Sequence, residues 1–183
     1  MSKPIKVLAI SGSLRKNSTN TGLLHYAQAN APAGVDITIA SIQDLPFYNA
    51  DLTEKPAAVQ TLLAQLAEAD ALLLACPEYN YSIAPALKNA LDWASREPKN
   101  ALLSGKPVAI MGSAAGMGSS RAQYHLRQVC VYLNLHPLNK PEVFCNAFAN
   151  TFDQEGHLID ATIQGLIKEQ LVALQAWTEQ LSK

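Results

Sequence analysis

The stretch SGSLRKNSTN, residues 11 to 20, follows directly on the apolar run Val7 to Ile10, and its reading decides the architecture of the chain. A short apolar run that breaks into a glycine and several hydroxyls, then into a helical pattern, predicts a buried strand turning into a helix. The turn carries hydroxyls at Ser11, Ser13, Ser18 and Thr19, an amide at Asn20, a guanidinium at Arg15 and a flexible backbone at Gly12. With the helix starting near Ser18, its free N–H groups and its dipole face one spot, which makes an anion seat. One fixed cation among many neutral donors suits a phosphomonoester, with its roughly two negative charges, better than a carboxylate. Ser, Thr and Asn also favour an ordinary capped helix start, so the loop alone leaves that reading open. No Gly-Lys-Ser/Thr follows and only one glycine is present, so neither the Walker A nor the GxGxxG pattern applies.

Outward from this loop, short apolar runs alternate with segments of 3.6-residue periodicity, the pattern of a parallel sheet covered by helices on both faces. Strands are expected at Ile5 to Ile10, Asp36 to Ala40, Ala71 to Ala75, Val108 to Gly112 and about Leu138 to Val143. Helices are expected over Thr19 to Ala29 and Ala57 to Ala67, from an N-cap at Ser82 through Trp93, after Ser119 through Leu133, and from Asp160 to Leu181. The fold class is thus α/β, with a five-stranded parallel sheet in the order 2-1-3-4-5. Such a sheet binds ligands outside the carboxyl ends of its strands, where the order reverses between the first and third. Residues 1 to 183 are most simply a single domain, large enough to bury a full core.

The composition is 49% hydrophobic and 16% charged with a formal charge of −1, which gives no electrostatic reason to expect nucleic acid or a membrane as partner. A small molecule is the expected partner. Cys76, Cys130 and Cys145 are odd in number, lack CxxC spacing and sit in or beside apolar runs, so buried, reduced thiols and a cytoplasmic location are expected. The start of the chain holds too few apolar residues for a secretory signal. His25, His125, His136 and His157 show no metal-ligand spacing, and no metal is expected.

The second strand end at the reversal point reads CPEYNYSIAPALKNALDW from Cys76. Pro77, Glu78, Tyr79, Asn80, Tyr81 and Ser82 are read as a strand-to-helix loop with a ring, an amide and backbone donors suited to the edge and face of a flat heteroaromatic such as isoalloxazine. The next strand end, GSAAGMGSSR from Gly112, adds small residues that let a ring approach the backbone.

With these residues in view the chain resembles the NAD(P)H-dependent FMN reductase family of flavodoxin-like proteins, a group that includes bacterial quinone and chromate reductases. The resemblance rests on GSLRKNSTN at Gly12 to Asn20, PEYNYSIAPALKNALDWASR at Pro77 to Arg96, RAQYHLRQ at Arg121 to Gln128 and NKPE at Asn139 to Glu142. It implies a flavodoxin-like three-layer sandwich that binds FMN. By position, Ser13, Arg15, Ser18 and Asn20 would hold the FMN phosphate, Thr19 helping through its backbone; Pro77, Glu78, Tyr79 and Asn80 would line the isoalloxazine, with Ser113 and Gly116 closing its other side. Ala84-Pro85-Ala86 departs from relatives that often place proline and glycine around that turn, and this bears on the shape of the ring's rim.

The resemblance further implies ping-pong transfer of hydride from NADPH or NADH through FMN to a small acceptor such as a quinone, with chromate, azo and nitro compounds in the same range. No protein acid, base or nucleophile is nominated, because the flavin carries the chemistry. The same resemblance places Arg121, Tyr124 and Glu142 near a subunit seam, implying a homodimer or homotetramer. Phe47 and Tyr48, in the long irregular stretch Ser41 to Pro56, would wall a nicotinamide or acceptor pocket, cover core or pack an interface. The alternative functions are a flavodoxin-type electron carrier, which is usually strongly acidic, and a flavin-based sensing domain.

Overall fold

A computed structural model describes residues 3 to 182. Along the chain run β1 (Ile5–Ser11), α1 (Thr19–Ala29), β2 (Val35–Ala40), α2 (Ala57–Glu68), β3 (Ala71–Ala75), a small hairpin of β4 (Glu78–Tyr79) and β5 (Ser82–Ile83), and α3 (Pro85–Ala94). There follow β6 (Pro107–Ala114), α4 (Ser120–Leu133), β7 (His136–Pro137), β8 (Val143–Asn146) and α5 (Ala161–Leu181). The main sheet is parallel throughout in the order β2-β1-β3-β6-β7, with β8 also beside β6.

Both faces of this sheet are covered, which is why its central strands read as unbroken apolar runs rather than alternating ones. Leu8, Ile10, Leu72 and Leu74 pack with α2, α3 and α4, while Val7, Ala9, Leu73 and Ala75 pack with α1 and α5. Leu72, Leu73 and Leu74 are fully buried, and each contributes about 2 kcal/mol by leaving water. Ser18 caps α1 by accepting from Thr21 N at 3.2 Å, and Asp160 caps α5 by accepting from Ile163 N at 2.9 Å.

Two expectations need correction. The edge position beside β6 is not one strand over Leu138 to Val143. It is held by two short pieces: β7 pairs at Pro107 and Val108, and β8 pairs from Met111 to Ala114. Pro137 and Pro141 have no N–H to give a ladder, and the carbonyls of Leu138 and Pro141 accept from Arg127 and Gln170 side chains instead. Nor does Ser82 cap a helix. It pairs with Tyr79 in the hairpin, and α3 starts at Pro85 without a side-chain cap.

Cys76, Cys130 and Cys145 are free and buried, and burial pushes each thiol up to about 12. A thiol reagent at about pH 8 is expected to modify none of them in the native protein and all three after unfolding, because only the thiolate reacts. The folded pKa values lie above the ordinary value of 9.0, so the stability these thiols contribute is whole below pH 9 and lost as pH rises toward 12. Urea midpoints measured below and above pH 9 check this sign; a midpoint that rises with pH would contradict it. Among the described residues, no helix is long and apolar enough to cross a membrane.

Candidate active site

The carboxyl ends of β1, β3 and β6 open into a cavity of about 250 Å³. Nine of the eleven residues expected from the sequence line it: Ser13, Arg15, Ser18, Thr19, Asn20, Pro77, Glu78, Tyr79 and Ser113. Asn80 and Gly116 are not among its walls. Asn80 sits at the hairpin tip with φ 49°, and Gly116 lies in an exposed loop where an added Cβ would meet nothing within 4 Å. Ala114 and Ala115, from the small-residue stretch after Gly112, complete the lining together with Ala147 and Phe148, which were not anticipated. Phe148 follows β8, so misplacing the last strand hid it; an apolar pair, Phe148 and Ala149, in an Asn-rich turn was the available signal.

Each wall has a local cause. At the β1 end Ser11 Oγ accepts from Ser13 N at 3.3 Å and from Thr21 Oγ1 at 3.0 Å, folding the loop back onto the first turn of α1. Ser18 takes the Thr21 N–H, and the N–H groups of Thr19 and Asn20 at the helix N-terminus have no partner among the described residues. The Arg15 side chain makes no hydrogen bond or ion pair among the described residues.

Asn20 acts differently from a direct phosphate ligand. Its side chain is buried, with Oδ1 accepting from Ser113 N at 2.9 Å and Nδ2 donating to Ser113 O at 2.8 Å. The amide is thus engaged in bracing α1 against β6, which leaves the backbone N–H of Asn20 as its contribution to the expected anion seat. Ser113 Oγ, by contrast, is buried with no well-formed hydrogen bond among the described residues; its neighbour is the Cys145 thiol, a weak partner, so the hydroxyl keeps capacity for a ligand.

The β3 end is the hairpin. Asn80 and Tyr81 have φ of 49° and 66°, the two left-handed positions of a tight two-residue turn. Tyr81 is held in this strained conformation by Arg121, whose guanidinium carbon lies 3.6 Å from the ring centroid. Arg121 also contacts Glu78 Oε1 at 2.5 Å, while Glu78 Oε2 accepts from Ala122 N at 3.3 Å. The Glu78 carboxylate, only 6% exposed, is therefore neutralised by a cation and the N-terminus of α4. Its hydrogen bond to Arg121 raises the pKa of that guanidinium further. Since Tyr79 and Ser82 close the turn, the backbone N–H of Glu78 is directed away from β5. The one acid of the cavity thus presents backbone rather than charge, and the electrostatic balance of the walls is positive.

Other residues named from the sequence lie outside the walls of this cavity. Tyr124 donates to Glu142 at 3.2 Å, and Lys140 pairs with Glu142 at 2.6 Å, which lowers the Glu142 pKa. Trp93 is buried, and its Nε1 donates to Pro46 O at 2.8 Å. Tyr48 packs edge-on against Trp93, whereas Phe47 is 78% exposed. His157 bonds Asp153 at 2.9 Å in an exposed turn that also brings in Glu155.

The sequence matches the family described as NADPH-dependent FMN reductase over residues 5 to 150. It is 52% identical to an NAD(P)H-dependent FMN reductase of Pseudomonas aeruginosa, covering 99% of both chains, and 45% identical to an NADPH:quinone oxidoreductase of Arabidopsis thaliana, covering 97% of this chain and 93% of that one. Among solved structures, FerB, a flavoenzyme NAD(P)H:(acceptor) oxidoreductase from Paracoccus denitrificans, superposes with a TM-score of 0.86 at 30% identity, over 96% of this chain and 98% of the other. With a strand order, a loop set and a sequence that all agree, the chain belongs to the NADPH-dependent FMN reductase family.

Proposed function

We propose that the cavity holds FMN and that the protein is an NAD(P)H-dependent oxidoreductase delivering two electrons to quinones or other small acceptors. The observation that carries this reading is the chemistry of the donor set. Open helix N–H groups, an Arg15 side chain without a partner among the described residues and a Ser113 hydroxyl held only weakly by the Cys145 thiol surround a space whose lining carboxylate is already neutralised. Bound FMN supplies the redox chemistry, taking hydride from NAD(P)H and releasing electrons to the acceptor. The chain's own residues bind and orient. Arg15, Ser13, Ser18 and the N–H groups of Thr19 and Asn20 hold the phosphate, and the Glu78 to Asn80 backbone offers donors to the ring edge where negative charge develops. Asn80 and Gly116 contribute from outside the walls. Tyr79 and Phe148, 47% and 82% exposed, frame a mouth that the nicotinamide and the acceptor use in turn, which gives ping-pong kinetics.

The purified protein should show a flavin spectrum that NADPH bleaches anaerobically and a quinone restores. Flavin that binds but is not reduced would instead favour an electron carrier or sensor, and no flavin binding would overturn the site assignment. The molecule is further proposed to be a cytoplasmic homodimer or homotetramer. Support comes from the buried free thiols and from α4, which leaves Tyr124, Val131 and Tyr132 more than half exposed. A monomer in sedimentation velocity of the same sample would rule out the assembly.

A further inference from the structure

Beside the proposed FMN cavity lies a second one of about 550 Å³ that shares Arg15 and Tyr79 with it. Its character is opposite. Ile42, Leu45 and Ala86 form apolar wall, and Leu14 and Phe47 stand at 53% and 78% exposure. Asn89 is held by its loop contacts, with Oδ1 accepting from Tyr48 N at 2.8 Å and Nδ2 donating to Pro46 O at 2.9 Å. Trp93 Nε1 donates to the same carbonyl at 2.8 Å. Three hydrogen bonds therefore pin the segment carrying Phe47 onto α3, so the wall is built rather than a loose loop lying open. Two large apolar side chains kept in water around an apolar cavity mark a surface that a ligand covers.

We propose that this cavity is the subsite for the apolar substituent of a quinone acceptor, whose ring reaches across the Arg15 and Tyr79 boundary into the neighbouring cavity. The assignment rests on the oxidoreductase reading above. In the overall reaction the quinone gains two electrons and two protons, as hydride from NAD(P)H plus one proton from solvent, and leaves as hydroquinone; the subsite adds no chemistry. It selects among acceptors by what they carry on the ring. Phe47 is a specificity-determining residue on this view, and Ala86, small and facing the same space, leaves the room.

The test compares 1,4-benzoquinone with a decyl-substituted benzoquinone on the FMN-loaded wild type, Phe47→Ser and Ala86→Leu. Turnover and calorimetric binding to the oxidised protein are both measured. The wild type should favour the decyl compound, and each variant should weaken its binding and raise its KM roughly tenfold, with the parent quinone within about twofold, as expected when only pocket contacts to apolar carbons are lost. Parallel effects on the two quinones, or decyl binding unchanged in both variants, overturn the proposal. So does a wild type with no preference for the decyl compound, the outcome if a second copy of the chain fills the cavity. If neither quinone turns over yet calorimetry still discriminates, the subsite stands and the oxidoreductase reading fails.

Discussion

An alanine at position 112 is expected to cost the protein both stability and its FMN site. Gly112 lies in β6 opposite Phe144 of β8, one residue before Ser113, and a Cβ there would stand 2.4 Å from Cys76 O and 2.2 Å from Ser119 Oγ. The serine hydroxyl can swing aside, at the loss of its bond from Gln123, but the Cys76 carbonyl belongs to the backbone that leads into Pro77. The methyl group can be housed only by parting β6 from the β3 end, which displaces the Pro77 to Tyr79 wall from Ser113. Overpacking of this kind costs about 3 kcal/mol, the upper end of the usual range. Urea unfolding together with a flavin titration measures both consequences. Gly165→Ala is the control, since a Cβ on that helical residue meets nothing within 4 Å and should stabilise by up to about 1 kcal/mol. Wild-type FMN affinity in Gly112→Ala would show that β6 and the hairpin need not approach so closely.

The second large effect is on affinity alone. Arg15 is exposed and makes no protein contact through its side chain among the described residues, so Arg15→Ala should leave folding nearly unchanged. Removing one charge-assisted contact to the phosphate should weaken FMN by about 1.5 to 3 kcal/mol, roughly ten- to a hundredfold and somewhat beyond. Riboflavin, which lacks the phosphate, supplies the internal comparison. Its affinity should stay near the wild-type value, so the ratio of FMN to riboflavin binding collapses in the variant. Equal losses for the two ligands would move Arg15 from the phosphate to the ring, where it also borders the second cavity.

How much of the site was legible follows from how far apart its parts lie in the chain. The loop proposed to hold the phosphate is a local object. Ser18 capping Thr21 and Ser11 bonding Ser13 involve neighbours, and propensity alone anticipates such contacts. The role of the Asn20 side chain was not legible, because its partner is 93 residues away on β6 and the same amide would suit a phosphate equally well. Glu78 is a similar case. Its residue type says acid, and only the packing of the hairpin on α4 shows the carboxylate turned to Arg121 and the backbone left for a ligand. The last strand failed for a different reason: the mostly polar stretch Leu138 to Val143 is preceded by Pro137 and broken by Pro141, so it forms no single ladder, and the side chains of Arg127 and Gln170 complete what the backbone leaves open.

The sequence by itself determined the layer architecture and the position of the loop proposed as the anion seat. Fully apolar strand runs between amphipathic helices have one economical way to bury both faces, and a helix N-terminus rich in hydroxyls carries its donors wherever it goes. What only the tertiary structure decided was which groups remain unspent. Whether a buried serine, amide or carboxylate is free to bind depends on partners brought from distant segments, and desolvation obliges every buried polar group to find one. That accounting commits Asn20, Asn89 and Glu78 to the fold and leaves Ser113, Arg15 and the open helix N–H groups to a ligand.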